Sequence, residues 1–165
     1  LKELSIANEN VNNAVVVIFS ELDNEKMLDE IAAKVNVKLN LKIITRSGDT
    51  ANPIELQMAN PTGAKNIVIL SQDKNSDTKA ITTILALHSM LKNTKVSIIA
   101  QINDSKYVKN ISQIKNFNFI PVLSKNIITN LKAQTLRQNG IGAVILDLLD
   151  FDGDEIYFNV FGVRV

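Results

Sequence analysis

The sequence predicts a doubly wound α/β fold, and two observations carry that prediction. Five short apolar runs recur along the 165 residues: Ala14 to Phe19 (AVVVIF), Leu41 to Thr45 (LKIIT), Asn66 to Leu70 (NIVIL), Val96 to Ile102 (VSIIAQI) and a shorter Phe119 to Val122. Their Val/Ile character is nearly continuous rather than alternating, which fits strands buried on both faces of a parallel sheet. Between the runs lie stretches with helical periodicity. Strand and helix in strict alternation fold as βα units with right-handed crossovers.

The elements follow in order. Leu1, Leu4 and Ile6 read as the last turns of a helix, and the missing initiator Met suggests a chain cut from something longer. Asn24 to Lys34 places Met27, Leu28, Ile31 and Ala32 on one side. Pro53 to Met58 opens with Pro at a first helical position. Thr78 to Leu91 aligns Ile81, Ile84, Leu85, Leu87 and Met90, with Asp77 as its expected N-cap. Ser105 to Ile114 and Asn126 to Gln138 are two further helices, the second closed by Asn139-Gly140. After Gly142 the rhythm changes. Ala143 to Leu149 continues as helix, Asp150 to Asp154 (DFDGD) reads as a hinge, and Glu155 to Phe161 (EIYFNVF) as a strand. Residues 1–142 therefore form one Rossmann-like lobe, and 143–165 the hinge and start of a second subdomain.

Composition narrows the function classes. Eighteen basic and seventeen acidic residues are interleaved, which leaves no basic footprint for nucleic acid. The chain has no cysteine, so disulfides, thiolate metal sites and cysteine nucleophiles fall away together. No apolar run approaches the roughly 18 to 20 residues of a membrane span, and the N-terminus has no signal-peptide pattern.

In doubly wound sheets ligands bind beyond the carboxyl ends of the strands. The polar residues there are Ser20, Glu21 and Asp23; Arg46, Ser47, Gly48 and Asp49; Ser71 and Asp73; and Gln101, Asn103 and Asp104. Glu21 or Asp23 stands where an acid would grip a ribose hydroxyl; both also suit a strand end or helix cap. Arg46 suits an anion or an ion pair with Asp49. There is no G-x-G-x-x-G and no P-loop, so the turn Arg46-Ser47-Gly48-Asp49 is poorly built as a phosphate cradle. Gly48 is expected to permit a sharp bend there. Asp73, Asn75 and Asp77 have the spacing that opens an EF-hand, but Thr78 and Ile84 stand where its glycine and bidentate Glu belong. The lone histidine, His88, lies in an apolar helix and reads as a packed or surface residue. Nucleophilic and zinc catalysis have little to work with, and no enzyme activity is expected.

The order of motifs, LSIANEN, AVVVIFSELDNEKM, ITRSGDTANPIEL, GAKNIVILSQD, NSDTKAITTILAL and VSIIAQIND, resembles the regulatory domain of the CASTOR/POLLUX ion channels, an RCK or TrkA-N type domain. The resemblance covers about residues 1 to 160. It implies a Rossmann-like lobe on the cytoplasmic side of a cation pore, with the transmembrane pore domain of the same protein as its partner and copies pairing into a tetrameric gating ring. It also implies a ligand, either calcium or a nucleotide. Ligand-binding residues would be Glu21, Arg46, Ser47, Gly48, Asp49 and Ser71, and calcium would draw on Asp49, Asp73, Asp77 and Asp104. The family's first strand is not found in this chain, and in the order 3-2-1-4-5-6 that strand is central. The alternative reading is a free-standing nucleotide-binding Rossmann protein or a divergent NAD(P)-dependent reductase.

Overall fold

The computed structural model describes residues 1–35, 40–70, 76–92, 94–114 and 118–150. In chain order these form α1 (Lys2–Ile6), β1 (Val15–Ser20), α2 (Asn24–Lys34), β2 (Lys42–Ser47), α3 (Pro53–Leu56), two 3-10 turns (Gln57–Ala59 and Pro61–Gly63), β3 (Asn66–Ile69), α4 (Ser76–Met90), β4 (Ser97–Gln101), α5 (Ser105–Ile111), β5 (Asn118–Val122), α6 (Ser124–Arg137) and α7 (Ile141–Leu149). All five expected strands are present, and the α/β class is borne out. The predicted strand Glu155 to Phe161 and most of the expected hinge lie outside the described residues, as do Ser71 and Asp73. Helix α7 runs across the expected boundary between residues 142 and 143.

Every strand pair is parallel, but the strands form two sheets: β1 with β2, and β3-β4-β5. Among the described residues no strand pairs β1 with β3. A doubly wound sheet in the order 3-2-1-4-5-6 places its first strand there. The pairs β2-β1 and β3-β4-β5 are the neighbours that this order gives its strands two to six.

The core lies between α4 and β4. Ala80, Ile84, Leu87 and Leu91 recur at helical spacing and form one buried stripe, while Ile98, Ala100 and Ile102 alternate along β4 onto the same side. Leu56 of α3 and Ile111 of α5 close the cluster, and Phe19 from β1 packs against it. Phe19 therefore ties the first sheet to the second. Leu85, expected in the buried stripe, is instead exposed, because it sits off the 80-84-87-91 line. Helices α6 and α7 pack on each other and expose much of their apolar surface; Leu136 is 87% exposed.

Candidate functional site

The carboxyl ends of the strands share one edge. Glu21, the first residue after β1, forms an ion pair with Lys79 near the start of α4, at 3.2 and 3.3 Å from Nζ to its two oxygens. Asp77, in the first turn of α4, reaches the turn after β4: its carboxylate accepts from the Asn103 N–H (2.9 Å), the Asn103 side-chain amide (3.0 Å) and the Asp104 N–H (2.9 Å). This corrects the expected N-cap role. The helix begins two residues earlier than expected, at Ser76, and Asp77 clamps α4 to the β4–α5 turn instead.

Glu21 and Lys79 help line a cleft of about 130 Å³, whose lining is Glu21, Asp49, Thr50, Ala51, Thr78, Lys79 and Thr82. The first four come from the β1–β2 half and the last three from α4, so the cleft bridges the two halves. Two acids, one lysine and three threonines are among its lining residues, and most of the lining surface is apolar. The ion pair is well exposed, so holding it closed stabilises the molecule little and opening it costs little.

The turn after β2 is built by local hydrogen bonds. Asn52 caps α3 by accepting from the Ile54 N–H (3.0 Å), and Glu55 accepts from the Asn52 side chain and the Asp49 N–H, both at 2.7 Å. The Asp49 carboxylate in turn accepts from the Ala51 N–H at 2.8 Å. Gly48 is needed for space rather than for a bend: a Cβ there would stand 2.7 Å from Phe19 Cζ and 2.9 Å from Glu55 Oε2.

The expected residues divide into two groups. Glu21 and Asp49 reach the cleft, whereas Arg46 does not line it. Arg46 and Ser47 belong to β2 rather than to the turn, and the Arg46 guanidinium donates to the adjoining Thr45 carbonyl at 2.9 Å instead of pairing with Asp49. Asp23 is the N-cap of α2, accepting from the Glu25 N–H at 2.9 Å. Asp104 caps α5, accepting from the Lys106 N–H at 3.0 Å, and pairs with Lys106 Nζ at 2.8 Å. The Lys106 hydrogen bonds hold the Asp104 carboxyl below its usual range, and the same side-chain bond raises the Lys106 ammonium. Asp49, Asp77 and Asp104 are thus not gathered into a calcium cage; among the described residues no three His, Cys, Asp or Glu side chains converge to hold a metal. Thr50, Thr78, Lys79 and Thr82 were missed by sequence reasoning. The 78-79-82 spacing on a helix that follows a strand end was the available signal.

No helix among the described residues is long and apolar enough to cross a membrane. No family model matches the chain. The structure is similar to a Kef C-terminal domain from Shewanella denitrificans in AMP-bound form, with 17% identity, a TM-score of 0.44, and 83% of this chain and 91% of that one covered. In sequence the chain is 27% identical over 160 residues to the probable ion channel POLLUX of Arabidopsis thaliana, covering 95% of this chain and 19% of that protein. It is 28% identical over 163 residues to the probable ion channel CASTOR of Oryza sativa subsp. japonica, covering 95% of this chain and 18% of that protein. The ion channel CASTOR of Lotus japonicus is 26% identical over 160 residues. The chain spans about a fifth of the length of these relatives. The chain is thus similar, over nearly its whole length, to one stretch of the CASTOR and POLLUX ion channels.

Proposed function

We propose that this chain is a ligand-sensing regulatory domain of a cation channel, acting on the cytoplasmic side of the membrane and joined to a pore-forming segment. The observation that carries the reading is its similarity to ion channels across 95% of its length. Potassium is the ion that the resemblance implies, and pairing of copies into a ring is the assembly it implies. The role is regulatory rather than enzymatic.

The bridging cleft supplies a mechanism. A ligand that touches Glu21 and Asp49 on one half and Lys79 and Thr82 on the other favours the arrangement in which both halves reach it. It shifts the population of arrangements only as far as its affinities for them differ. A nucleotide would offer ribose hydroxyls to Glu21 and phosphate oxygens to Lys79, breaking the ion pair as it binds. Calcium would take Asp49 and Glu21, since Asp77 and Asp104 are committed to backbone and Lys106.

Calorimetric titration with calcium and, separately, with AMP tests the reading. Saturable heat from one of them, reduced tenfold or more in affinity by Glu21→Gln, is the expected result. No heat from either refutes the ligand-sensor role.

A further inference from the structure

Helices α6 and α7 meet at a corner made of Gln138, Asn139 and Gly140. The two helices come close there: a Cβ on Gly142 would stand 3.3 Å from both Cγ2 and Oγ1 of Thr135. Backbone hydrogen bonds hold the corner, from the Ile141 N–H to the Gln138 carbonyl at 3.4 Å and from the Ala143 and Val144 N–H groups to the Gly140 carbonyl at 3.1 and 3.4 Å. No side chain caps α7, and its first turn holds no acid. Gly140 adopts φ +89°, a conformation that glycine takes without the Cβ penalty of other residues.

Asn139 is the only asparagine of the chain that precedes a glycine. Its side-chain amide therefore stands one residue before a backbone nitrogen that no Cβ crowds. Within a helix such a nitrogen is tied by its bond to the carbonyl four residues back. Among the described residues the Gly140 N–H donates to no acceptor and the Asn139 carboxamide has no hydrogen-bond partner, so neither group is tied. Both residues are exposed, and no atom lies within 4 Å of where a Cβ on Gly140 would sit. Water reaches the corner freely.

We propose that Asn139 is a site of spontaneous deamidation whose isoaspartyl product loosens the α6–α7 corner. The Gly140 nitrogen attacks the Asn139 side-chain carbon: the new N–C bond forms, the bond to Nδ2 breaks, and Nδ2 leaves as ammonia with the Gly140 amide proton. The five-membered imide then takes up one water. Opening at the side-chain carbonyl leaves an ordinary aspartyl residue, and opening at the main-chain carbonyl leaves an isoaspartyl link that carries the chain through the side chain. Either product adds a negative charge just before α7, where the helix dipole favours it. The isoaspartyl link also adds a methylene to the backbone between Gln138 and Ile141, which their hydrogen bond and the Thr135–Gly142 approach cannot both absorb. The site stands whether or not the domain senses a ligand.

Two measurements test it. The folded chain is incubated at mildly alkaline pH and its peptides are mapped by mass spectrometry. The expected result is a mass gain of about one dalton at Asn139, appearing about tenfold or more faster than at any other asparagine, with a product that an isoaspartyl methyltransferase labels. Asn139→Gln, whose longer side chain must close a six-membered ring, loses both signals. A rate more than about tenfold below that of a synthetic peptide of residues 137–141 means that the fold shields the site, and it overturns the proposal. So does a mass gain without isoaspartate. Hydrogen exchange at the Ile141, Ala143 and Val144 amides tests the consequence. It is expected to quicken about tenfold in the isoaspartyl fraction and to stay unchanged in Asn139→Asp, which adds the charge without lengthening the backbone. Unchanged exchange in the isoaspartyl fraction, or equally quickened exchange in Asn139→Asp, overturns loosening by the lengthened backbone.

Discussion

Replacing Asp77 by Ala tests the clamp between α4 and the β4–α5 turn. The substitution removes three hydrogen bonds to a charged acceptor, two of them from backbone N–H groups in a part-buried setting. A bond to an ionised group contributes about 1.5 to 3 kcal/mol, and an orphaned buried donor costs a similar amount. Water reaches part of this site, and Asn103 has a further interaction to fall back on, so the sum is discounted to roughly 2 to 4 kcal/mol. At this chain length that corresponds to a drop in Tm of roughly 4 to 16 °C. Urea denaturation followed by far-UV circular dichroism gives the free energy, and a thermal melt gives Tm. Asp77→Asn keeps one acceptor oxygen but turns an amide N–H₂ toward a backbone donor, so it recovers only part of the loss. A change within about 0.5 kcal/mol for Asp77→Ala, the range of inert surface substitutions, refutes the clamp. A calcium affinity that falls tenfold in Asp77→Asn with stability unchanged refutes it too, and returns Asp77 to the ligand set.

Three further outcomes are expected. Gly48→Ala forces its new methyl onto the Phe19 ring and the Glu55 carboxylate and destabilises the chain by about 1 to 3 kcal/mol, measured by chemical denaturation. Asp104→Asn flattens the acid limb of the pH–stability curve: the folded carboxyl is lowered, first by its bond to the Lys106 side chain, so its contribution is full above the unfolded carboxyl value and is lost as pH falls through the folded one. The same variant flattens the alkaline limb, because the raised Lys106 ammonium contributes below its unfolded value and is lost as pH rises through the folded one. Leu136→Asp, at a position 87% exposed, leaves stability within about 0.5 kcal/mol and lowers the oligomeric mass seen by light scattering; an unchanged mass argues against assembly through α6.

Local chemistry made most of the elements legible in the sequence. Helix α2 begins at the residue after Asp23 because that carboxylate caps it, and the Val/Ile runs became strands with ends shifted by a residue or two. What sequence could not supply was the reach of a side chain across the fold. Nothing in the spacing of Asp77 tells whether its carboxylate turns back on its own helix or spans to Asn103, 26 residues away. Gly48 likewise reads as a bend until Phe19 and Glu55 are seen to close on it. Glu21 and Asp49 were visible because strand ends are where an α/β fold binds. Lys79 and the threonines of α4 were not, because the cleft they complete exists only once the halves are set side by side.

The apolar strands leave part of their faces uncovered among the described residues. Near-continuous apolar strands signal burial on both faces, yet Val15, Val17 and Val68 are among the exposed residues. Ile120 of β5, at the far edge of the second sheet, is 46% exposed as well, so the uncovered apolar surface is not confined to one edge. On β4 one face is fully buried, Ile98 and Ala100 together with Ile102 just past its end, whereas Ser97, Ile99 and Gln101 on the other face are half-buried.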